Sequence, residues 1–264
     1  MTREDVWAAG SSYEPYVGRW SRLVAREFLD WLVVDPGKDW IDVGCGTGAL
    51  TQTIIATASP RSVVGIDQSA AFVGYAEEKT DDARASFRVG DAQALPLEDS
   101  GADVAVSGLV LNFVPDAAGA LSEMQRVVRP DGLVGVYVWD YADKMELMRY
   151  FWDAATDLDP AARELEEGLR FPMCAPGALG ELLLNAALND VEVRAIDVPT
   201  RFRDFDDYWT PFLGGQGPAP AYTLSLGKDQ RTLLRERLRE VLPISADGSI
   251  DLTARAWAAK GRRA

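Results

Sequence analysis

The sequence between residues 38 and 140 alternates short apolar runs with amphipathic segments, and this alternation restricts the fold more than any other feature. Short apolar runs bounded by turn residues are typical of buried strands, and apolar side chains at a period of about 3.6 residues are typical of helices. Strands that alternate with helices form a parallel sheet covered by helices, so we predict an α/β fold. The pattern predicts strands over 40–43, 63–66, 86–89, 103–107 and 133–139, helices over 49–58, 70–79 and 117–128, and a turn over 129–132.

The flanking sequence predicts further helices and two late strands. The expected elements outside the core are helices over 17–34, 176–188, 205–212 and 228–242, strands over 191–198 and 255–259, and a loop over 214–220. We therefore expect one domain over 1–264. Its expected parts are an N-terminal helical segment over 1–37, a core over 38–140, and helices that include a cap over 141–250.

Residue counts exclude several kinds of chemistry. The chain has no histidine, which excludes a Ser-His-Asp triad, histidine-ligated zinc and an imidazole base. Its two cysteines lie far apart, so we expect neither a metal centre nor a disulfide framework, as is typical of a reducing compartment. The formal net charge of −14 disfavours nucleic acid as a partner.

The sequence also gives no sign of a membrane partner. No apolar run approaches the roughly 18 residues of a membrane-spanning helix. The N-terminal region carries acids, glycine and proline where a signal peptide has an apolar run. We therefore expect a cytoplasmic protein that does not bind membranes.

A glycine-rich segment, DVGCGTG over residues 42–48, joins the first core strand to the first core helix. Glycines permit a tight turn and close approach of a ligand to the backbone. Ligands of open parallel sheets bind beyond the carboxyl ends of the strands. Asp67 and Asp91 follow the ends of the second and third strands, so these two acids and Asp42 come to one edge. Carboxylates there can accept hydrogen bonds from the ribose hydroxyls and the amino group of an adenine nucleoside.

The charge of this segment discriminates between two adenine cofactors. Gly44, Gly46 and Ala49 also fit the dinucleotide fingerprint GxGxxG/A. A dinucleotide brings an anionic pyrophosphate, which Asp42 would repel. No lysine or arginine lies between residues 39 and 60. S-adenosylmethionine has no phosphate and carries a positive sulfonium and ammonium, which suit an acidic loop.

Residues 42–48, Asp67, Gly90 with Asp91, and the run NFVPD over 112–116 together resemble the class I S-adenosylmethionine-dependent methyltransferases. The similarity covers about residues 38–140, which makes that segment the expected cofactor-binding core. It is greatest to the small-molecule branch with a ubiquinone/menaquinone-biosynthesis-type core. The resemblance implies a Rossmann-like, mostly parallel sheet of seven strands with helices on both faces and an antiparallel last hairpin.

The resemblance also implies a role for individual residues. Gly44 and Gly46 would line the methionine part of the cofactor, Asp67 the ribose, and Asp91 the adenine. Cys45 would contribute only its backbone, and Ser107 its backbone to the cofactor ammonium. The implied cofactor contacts in the core are Asp42, Gly44, Cys45, Gly46, Asp67, Gln68, Asp91, Ala92 and Ser107.

The sequence indicates fewer residues for the acceptor than for the cofactor. Without histidine, a base must be Asp, Glu, Tyr or Lys, and Asp140 with Tyr141 follows the fifth strand at the expected catalytic edge. Asp140 is either that base or a loop carboxylate in water. The hydroxyl of Tyr16 and the guanidinium of Arg19 could reach the amino-acid end of the cofactor, with a solvated arginine as the alternative. The aromatic residues of 205–212 either fill a core or form a lid over the acceptor.

The expected function is methyl transfer from S-adenosylmethionine to a small-molecule acceptor, with S-adenosylhomocysteine as the product. Two alternatives stay open at this point. An NAD(P)-dependent oxidoreductase would use the same sheet, and a protein that binds S-adenosylmethionine without catalysis would carry the same loop.

Overall fold

The computed structural model describes residues 18–214 and 217–264. These residues divide into two compact units. The unit that we call the sheet unit comprises Ser21–Trp139, Met173–Ile196 and Ala256–Ala264. The helical unit comprises the described residues of 18–20, 140–172 and 197–255. The single domain over 1–264 stays a prediction.

Strands and helices alternate through the first half of the chain. The strands are β1 (Asp39–Val43), β2 (Ser62–Asp67), β3 (Ala85–Val89), β4 (Ala102–Gly108), β5 (Val128–Trp139), β6 (Leu188–Phe202) and β7 (Ile250–Arg263). The α-helices are α1 (Arg19–Leu32), α2 (Ala49–Thr57), α3 (Ala70–Lys79), α4 (Ala117–Val127), α5 (Glu146–Leu158), α6 (Glu167–Arg170), α7 (Pro176–Asn185), α8 (Phe205–Trp209), α9 (Pro218–Ser225) and α10 (Lys228–Val241). Short 3-10 helices cover Leu111–Phe113, Pro160–Leu165 and Thr210–Leu213. Among the described helices, none has the length and apolar character needed to cross a membrane.

The strands form one sheet of seven strands in the order β3-β2-β1-β4-β5-β7-β6. Neighbouring strands from β3 to β5 pair parallel, and β7 pairs antiparallel with β5. The predicted α/β fold, a mostly parallel Rossmann-like sheet with helices, is confirmed. The order changes direction between β1 and β4, and such a switch point places a ligand crevice beyond the carboxyl ends of these strands.

Helix α1 packs closely on β5 within the sheet unit. Phe28 is fully buried, and its ring centroid lies 4.7 Å from that of Tyr137. A Cβ on Gly135 would lie 2.9 Å from the Phe28 ring, so the glycine permits this close approach. The apolar spacing over 17–34 therefore identified the helix face that contacts the sheet.

Prolines and polar residues account for two errors in the prediction. The expected loop over 214–220 is wrong from Pro218 onward, where α9 begins. Proline is favoured at a first helical position because the N–H there has no partner within the helix. The late strands β6 and β7 are longer than the expected 191–198 and 255–259, because buried and exposed residues continue to alternate beyond the apolar runs.

Two further differences lie at the start of β5 and after its end. The expected turn at 129–132 lies inside β5, where the pairing with β4 shifts register and Asp131 has a φ of 63°. Such irregularities accommodate turn residues within a strand. Helix α5 was not predicted individually, although the sequence indicated helices somewhere over 141–250.

The helical unit has an aromatic core. The rings of Phe151 and Phe212 stack with centroids 4.5 Å apart. The hydroxyl of Tyr208 donates to the carbonyl oxygen of Leu147 at 2.9 Å. Trp209 is only 5% exposed. The aromatic side chains of 205–212 thus pack inside this unit, which favours the core alternative over an exposed lid face.

Candidate functional site

The glycine loop, residues 44–48, connects β1 to α2 in the sheet unit. Gly44, Gly46 and Gly48 have φ angles of 75°, 52° and 85°, a region that side chains with a Cβ rarely adopt. A Cβ on Gly44 would also lie 2.5 Å from Cγ1 of Val110. The loop therefore requires glycine, and Gly44 and Gly46 stay half-buried at the end of β1.

Cys45 contributes its backbone to the loop and its thiol to the core. The N–H groups of Gly44 and Cys45 donate to the carbonyl oxygen of Ile66 at 2.7 and 3.0 Å, which fastens the loop to β2. The Cys45 side chain is buried in an apolar cluster with Val73 and Phe87, and burial raises the pKa of its thiol. The thiol packs in this cluster, so the backbone is what Cys45 can offer to a ligand.

Asp67 ends β2 and holds the glycine loop. Its Oδ2 accepts a hydrogen bond from the N–H of Gly46 at 3.0 Å, and its Oδ1 accepts one from the N–H of Ser69 at 2.8 Å. Burial raises the pKa of this carboxyl. Each carboxylate oxygen accepts about two hydrogen bonds, so Asp67 keeps capacity for two ligand hydroxyls.

Asp42 is a buried carboxylate at the end of β1, with 1% of its surface exposed. The hydroxyl of Thr51 donates to its Oδ2 at 2.6 Å, whereas its Oδ1 has no hydrogen-bond partner among the described residues. Burial, with a smaller contribution from the charge of Asp67, raises the pKa of Asp42 to about 7, although hydrogen bonding to Thr51 acts in the opposite direction. A buried carboxylate oxygen without a donor is unfavourable unless a ligand supplies one.

The other predicted cofactor residues of the core follow β2, β3 and β4. Asp91 is exposed, and the N–H of Gln93 donates to its Oδ1 at 2.9 Å, which lowers the pKa of Asp91. Gln68 is exposed, Ala92 is half-buried, and Ser107 is buried in β4. Because these strands are parallel, their carboxyl ends bring the four residues to the predicted edge of the sheet.

Two polar residues near this edge were missed as candidates. Thr51 holds Asp42 from the first turn of α2, and the sequence gives no spacing signal for that contact. Asn112 is 8% exposed in the 3-10 helix after β4, and neither polar atom of its amide has a partner within the described part of the chain. Asn112 begins the run NFVPD, which was part of the family resemblance but was given no role in the site.

Asp140 and Tyr141 lie in the helical unit and are 4% and 6% exposed. The N–H of Asp143 donates to Oδ1 of Asp140 at 3.3 Å, and the N–H of Met145 donates to the Asp140 carbonyl oxygen at 2.9 Å. The Tyr141 ring lies 5.9 Å from that of Phe171. The alternative of a loop carboxylate in water is therefore wrong for Asp140.

Of the two residues predicted before the core, Tyr16 lies outside the described residues. Arg19 belongs to the helical unit, and its Nη1 donates to Oδ1 of Asp207 at 3.1 Å. The side chain is 27% exposed and its guanidinium lies against aromatic rings. The alternative of a solvated arginine is wrong.

Comparisons with known proteins match the segment that contains the glycine loop. A family profile described as a methyltransferase domain matches residues 41–136. A 2-methyl-6-phytyl-1,4-hydroquinone methyltransferase from Synechocystis sp. is 33% identical over 186 residues, which cover 69% of this chain and 57% of the relative. A demethylmenaquinone methyltransferase from Lactobacillus johnsonii is 34% identical over 116 residues, which cover 42% of this chain and 48% of the relative. A phosphoethanolamine N-methyltransferase 2 from Haemonchus contortus, solved with phosphomonomethylethanolamine and S-adenosylhomocysteine, has a TM-score of 0.57 at 16% identity and covers 91% of this chain and 52% of that chain.

The matched residues contain the glycine loop and the acids at the strand ends, and they form a methyltransferase domain. The resemblance to the class I S-adenosylmethionine-dependent methyltransferases is confirmed for the segment that these comparisons match. The chain spans about half the length of the curated relatives it matches.

Proposed function

We propose that this protein transfers a methyl group from S-adenosylmethionine to a small-molecule acceptor. The observation that carries the proposal is Oδ1 of Asp42, which is buried beside the glycine loop and has no hydrogen-bond donor among the described residues. A buried carboxylate favours a cation and repels a phosphate. S-adenosylmethionine is cationic at its sulfonium and ammonium, whereas NAD(P) would bring a pyrophosphate.

The remaining contacts fit the same cofactor. In this proposal the backbone of Gly44 and Gly46 borders the methionyl part, and Asp67 accepts hydrogen bonds from both ribose hydroxyls. Asp91 accepts from the adenine amino group, and Ser107 offers its backbone. When bound, S-adenosylmethionine supplies an electrophilic methyl group, and S-adenosylhomocysteine is left. The protein has to align the acceptor and exclude water.

Acceptor chemistry is assigned to the helical unit. The carboxylate of Asp140 is buried there and would accept a proton from the acceptor nucleophile. Tyr141, next in sequence and packed on Phe171, is the second candidate. Two relatives are named as methyltransferases of a hydroquinone and of demethylmenaquinone, which supports a small-molecule acceptor.

S-adenosylhomocysteine should stabilise the protein. At a concentration one hundred times its dissociation constant, a ligand that binds only the folded state adds about 2.7 kcal/mol to the free energy of unfolding. Thermal melting with and without the ligand measures this effect, with NADH as the control. A shift with NADH and none with S-adenosylhomocysteine would establish the oxidoreductase instead. Binding without methyl transfer to any tested acceptor would support the non-catalytic alternative.

The affinity for S-adenosylhomocysteine should rise with pH around neutrality. The ligand ammonium favours ionised Asp42, whereas burial holds the pKa of Asp42 in the free protein at about 7. Below this pH, binding must release a proton, so affinity should fall up to about tenfold per pH unit. Asp67 and Cys45 lie near Asp42, and the chain has no histidine to titrate in this range. Calorimetry from pH 6 to 8 measures the slope, and Asp42→Asn should flatten it. An affinity that does not change with pH in the unmodified protein would show that Asp42 does not interact with the ligand ammonium.

A further inference from the structure

A cluster of buried polar atoms in the helical unit lacks hydrogen-bond partners. Within residues 18–214 and 217–264, no acceptor contacts Nε or Nη2 of Arg19 or Nε1 of Trp20, and Oγ1 of Thr200 has no partner. Trp20 and Thr200 are 8% and 1% exposed. Folded proteins pair nearly all such atoms, so a cluster of unpaired donors indicates a missing acceptor.

The guanidinium of Arg19 is held rigidly. Its central carbon lies 4.3 Å from the ring centroid of Trp20 and 4.6 Å from that of Phe202. Its Nη1 donates to Oδ1 of Asp207, and the N–H of Arg203 donates to Oδ2 of the same carboxylate at 3.0 Å. Stacking and the ion pair fix the plane of the guanidinium, and one of its edges stays without a partner.

This free edge is the one that other arginines of the chain use to bind carboxylates. In four ion pairs of the described residues, Nε and Nη2 of one arginine donate to a single carboxylate. These pairs are Arg61 with Asp39, Arg84 with Asp82, Arg126 with Glu123, and Arg255 with Asp197. Such a fork matches the spacing of two carboxylate oxygens. Arg19 presents the same fork, buried and without a carboxylate.

The other two unpaired groups belong to Trp20, whose ring stacks on the Arg19 guanidinium, and to Thr200, two positions before Phe202. Buried and exposed residues alternate along the last part of β6. Thr200 and Phe202 are two positions apart and are therefore neighbours on its buried face. The Trp20 ring contacts Phe202 edge-on with centroids 5.5 Å apart. An indole N–H and a hydroxyl therefore add two donors near the Arg19 fork.

We propose that the acceptor carries a carboxylate, which the Nε and Nη2 edge of Arg19 binds with help from Trp20 and Thr200. This inference rests on the proposed function. Arg19, Trp20 and Thr200 belong to the same unit as Asp140 and Tyr141, the residues proposed to act on the acceptor, and we therefore favour the acceptor as the source of the carboxylate. The cofactor carboxylate is the competing occupant, because Arg22, one turn after Arg19 on α1, donates to Gln52 of α2 at 3.3 Å. Arg19 was predicted to bind the carboxylate of the cofactor, so the test must separate these two sources.

Benzoate and benzamide are suitable probes because they differ in charge and share a planar ring. Calorimetry on protein saturated with S-adenosylhomocysteine, and on the free protein, should show benzoate binding at least about tenfold more tightly than benzamide. Arg19→Lys keeps the charge and removes the fork, and it should abolish most of this preference. Arg84→Ala removes a fork already paired with Asp82, and it should leave the preference for benzoate over benzamide unchanged. Equal affinities for the two probes in the unmodified protein would overturn the proposal.

Thr200→Val distinguishes a ligand-binding role from a structural one. The Thr200 hydroxyl has no partner in the described protein, so its removal should leave the melting temperature of the free protein unchanged or higher. The same variant should weaken benzoate binding severalfold. A lower melting temperature with unchanged benzoate affinity would show that the hydroxyl serves the fold and would count against the proposal.

The source of the carboxylate is settled by the cofactor product itself. Arg19→Lys should bind S-adenosylhomocysteine with unchanged affinity. If its affinity falls at least tenfold while the decarboxylated analogue of S-adenosylhomocysteine binds as before, the fork belongs to the cofactor and the acceptor proposal is overturned. That outcome leaves the proposed function intact. Failure of the unmodified protein to bind S-adenosylhomocysteine would contradict the proposed function, and the benzoate comparison on free protein would still test the fork.

Discussion

Asp67→Ala is expected to weaken the binding of S-adenosylhomocysteine by at least about 100-fold. Each hydrogen bond from a ribose hydroxyl to a charged carboxylate contributes about 1.5–3 kcal/mol, two such bonds are lost, and 1.4 kcal/mol corresponds to a factor of ten in affinity. The substitution also removes the acceptor for the N–H groups of Gly46 and Ser69, which loosens the glycine loop. Isothermal titration calorimetry of the two proteins measures the difference.

Two variants make this experiment specific. Asp67→Asn keeps one oxygen acceptor and loses the charge, so it should lose less affinity than Asp67→Ala. Asp82→Ala removes a carboxylate that likewise accepts the N–H of the residue two positions later, Arg84, and it should bind the ligand normally. If Asp67→Ala binds S-adenosylhomocysteine like the unmodified protein and melts at the same temperature, Asp67 does not belong to the site.

The sheet edge was predictable because its signals are local in sequence. Pairing aligns the carboxyl ends of the strands in any parallel sheet. A glycine between a strand and a helix and an acid at a strand end therefore indicate the same edge of the sheet. Asp42 and Asp67 therefore came together as expected. The contact of Thr51 with Asp42 could not be predicted from the sequence, because it depends on how α2 packs after the loop.

The second half of the chain was less predictable for two physical reasons. Proline was interpreted as a loop residue, although Pro218 begins α9, where a missing N–H has no cost. The position of Arg19 depends on a contact over 188 residues of sequence with Asp207, and no periodicity encodes such a contact. Sequence patterns specify which face of an element is buried, but they do not specify which distant side chain it meets.

Trp209→Ala is expected to lower the free energy of unfolding by about 3–5 kcal/mol, the usual cost of truncating a buried aromatic side chain. Trp209 is 5% exposed, and its ring lies 6.2 Å from that of Phe212, which in turn stacks on Phe151. Removal of the indole would leave a cavity in the aromatic core of the helical unit. Chemical denaturation followed by circular dichroism measures the change.

A neighbouring exposed leucine provides the matched control for this change. Leu213 is 42% exposed in the 3-10 helix that follows α8, so Leu213→Ala should change stability by less than about 1 kcal/mol. Trp209→Phe keeps an aromatic ring, so its loss in the free energy of unfolding should lie between those of Trp209→Ala and Leu213→Ala. The opposite pattern would support a lid. In that case Trp209→Ala would unfold at nearly the same denaturant concentration as the unmodified protein, bind S-adenosylhomocysteine normally and lose turnover, because a lid residue contributes to closure over the acceptor and little to the core.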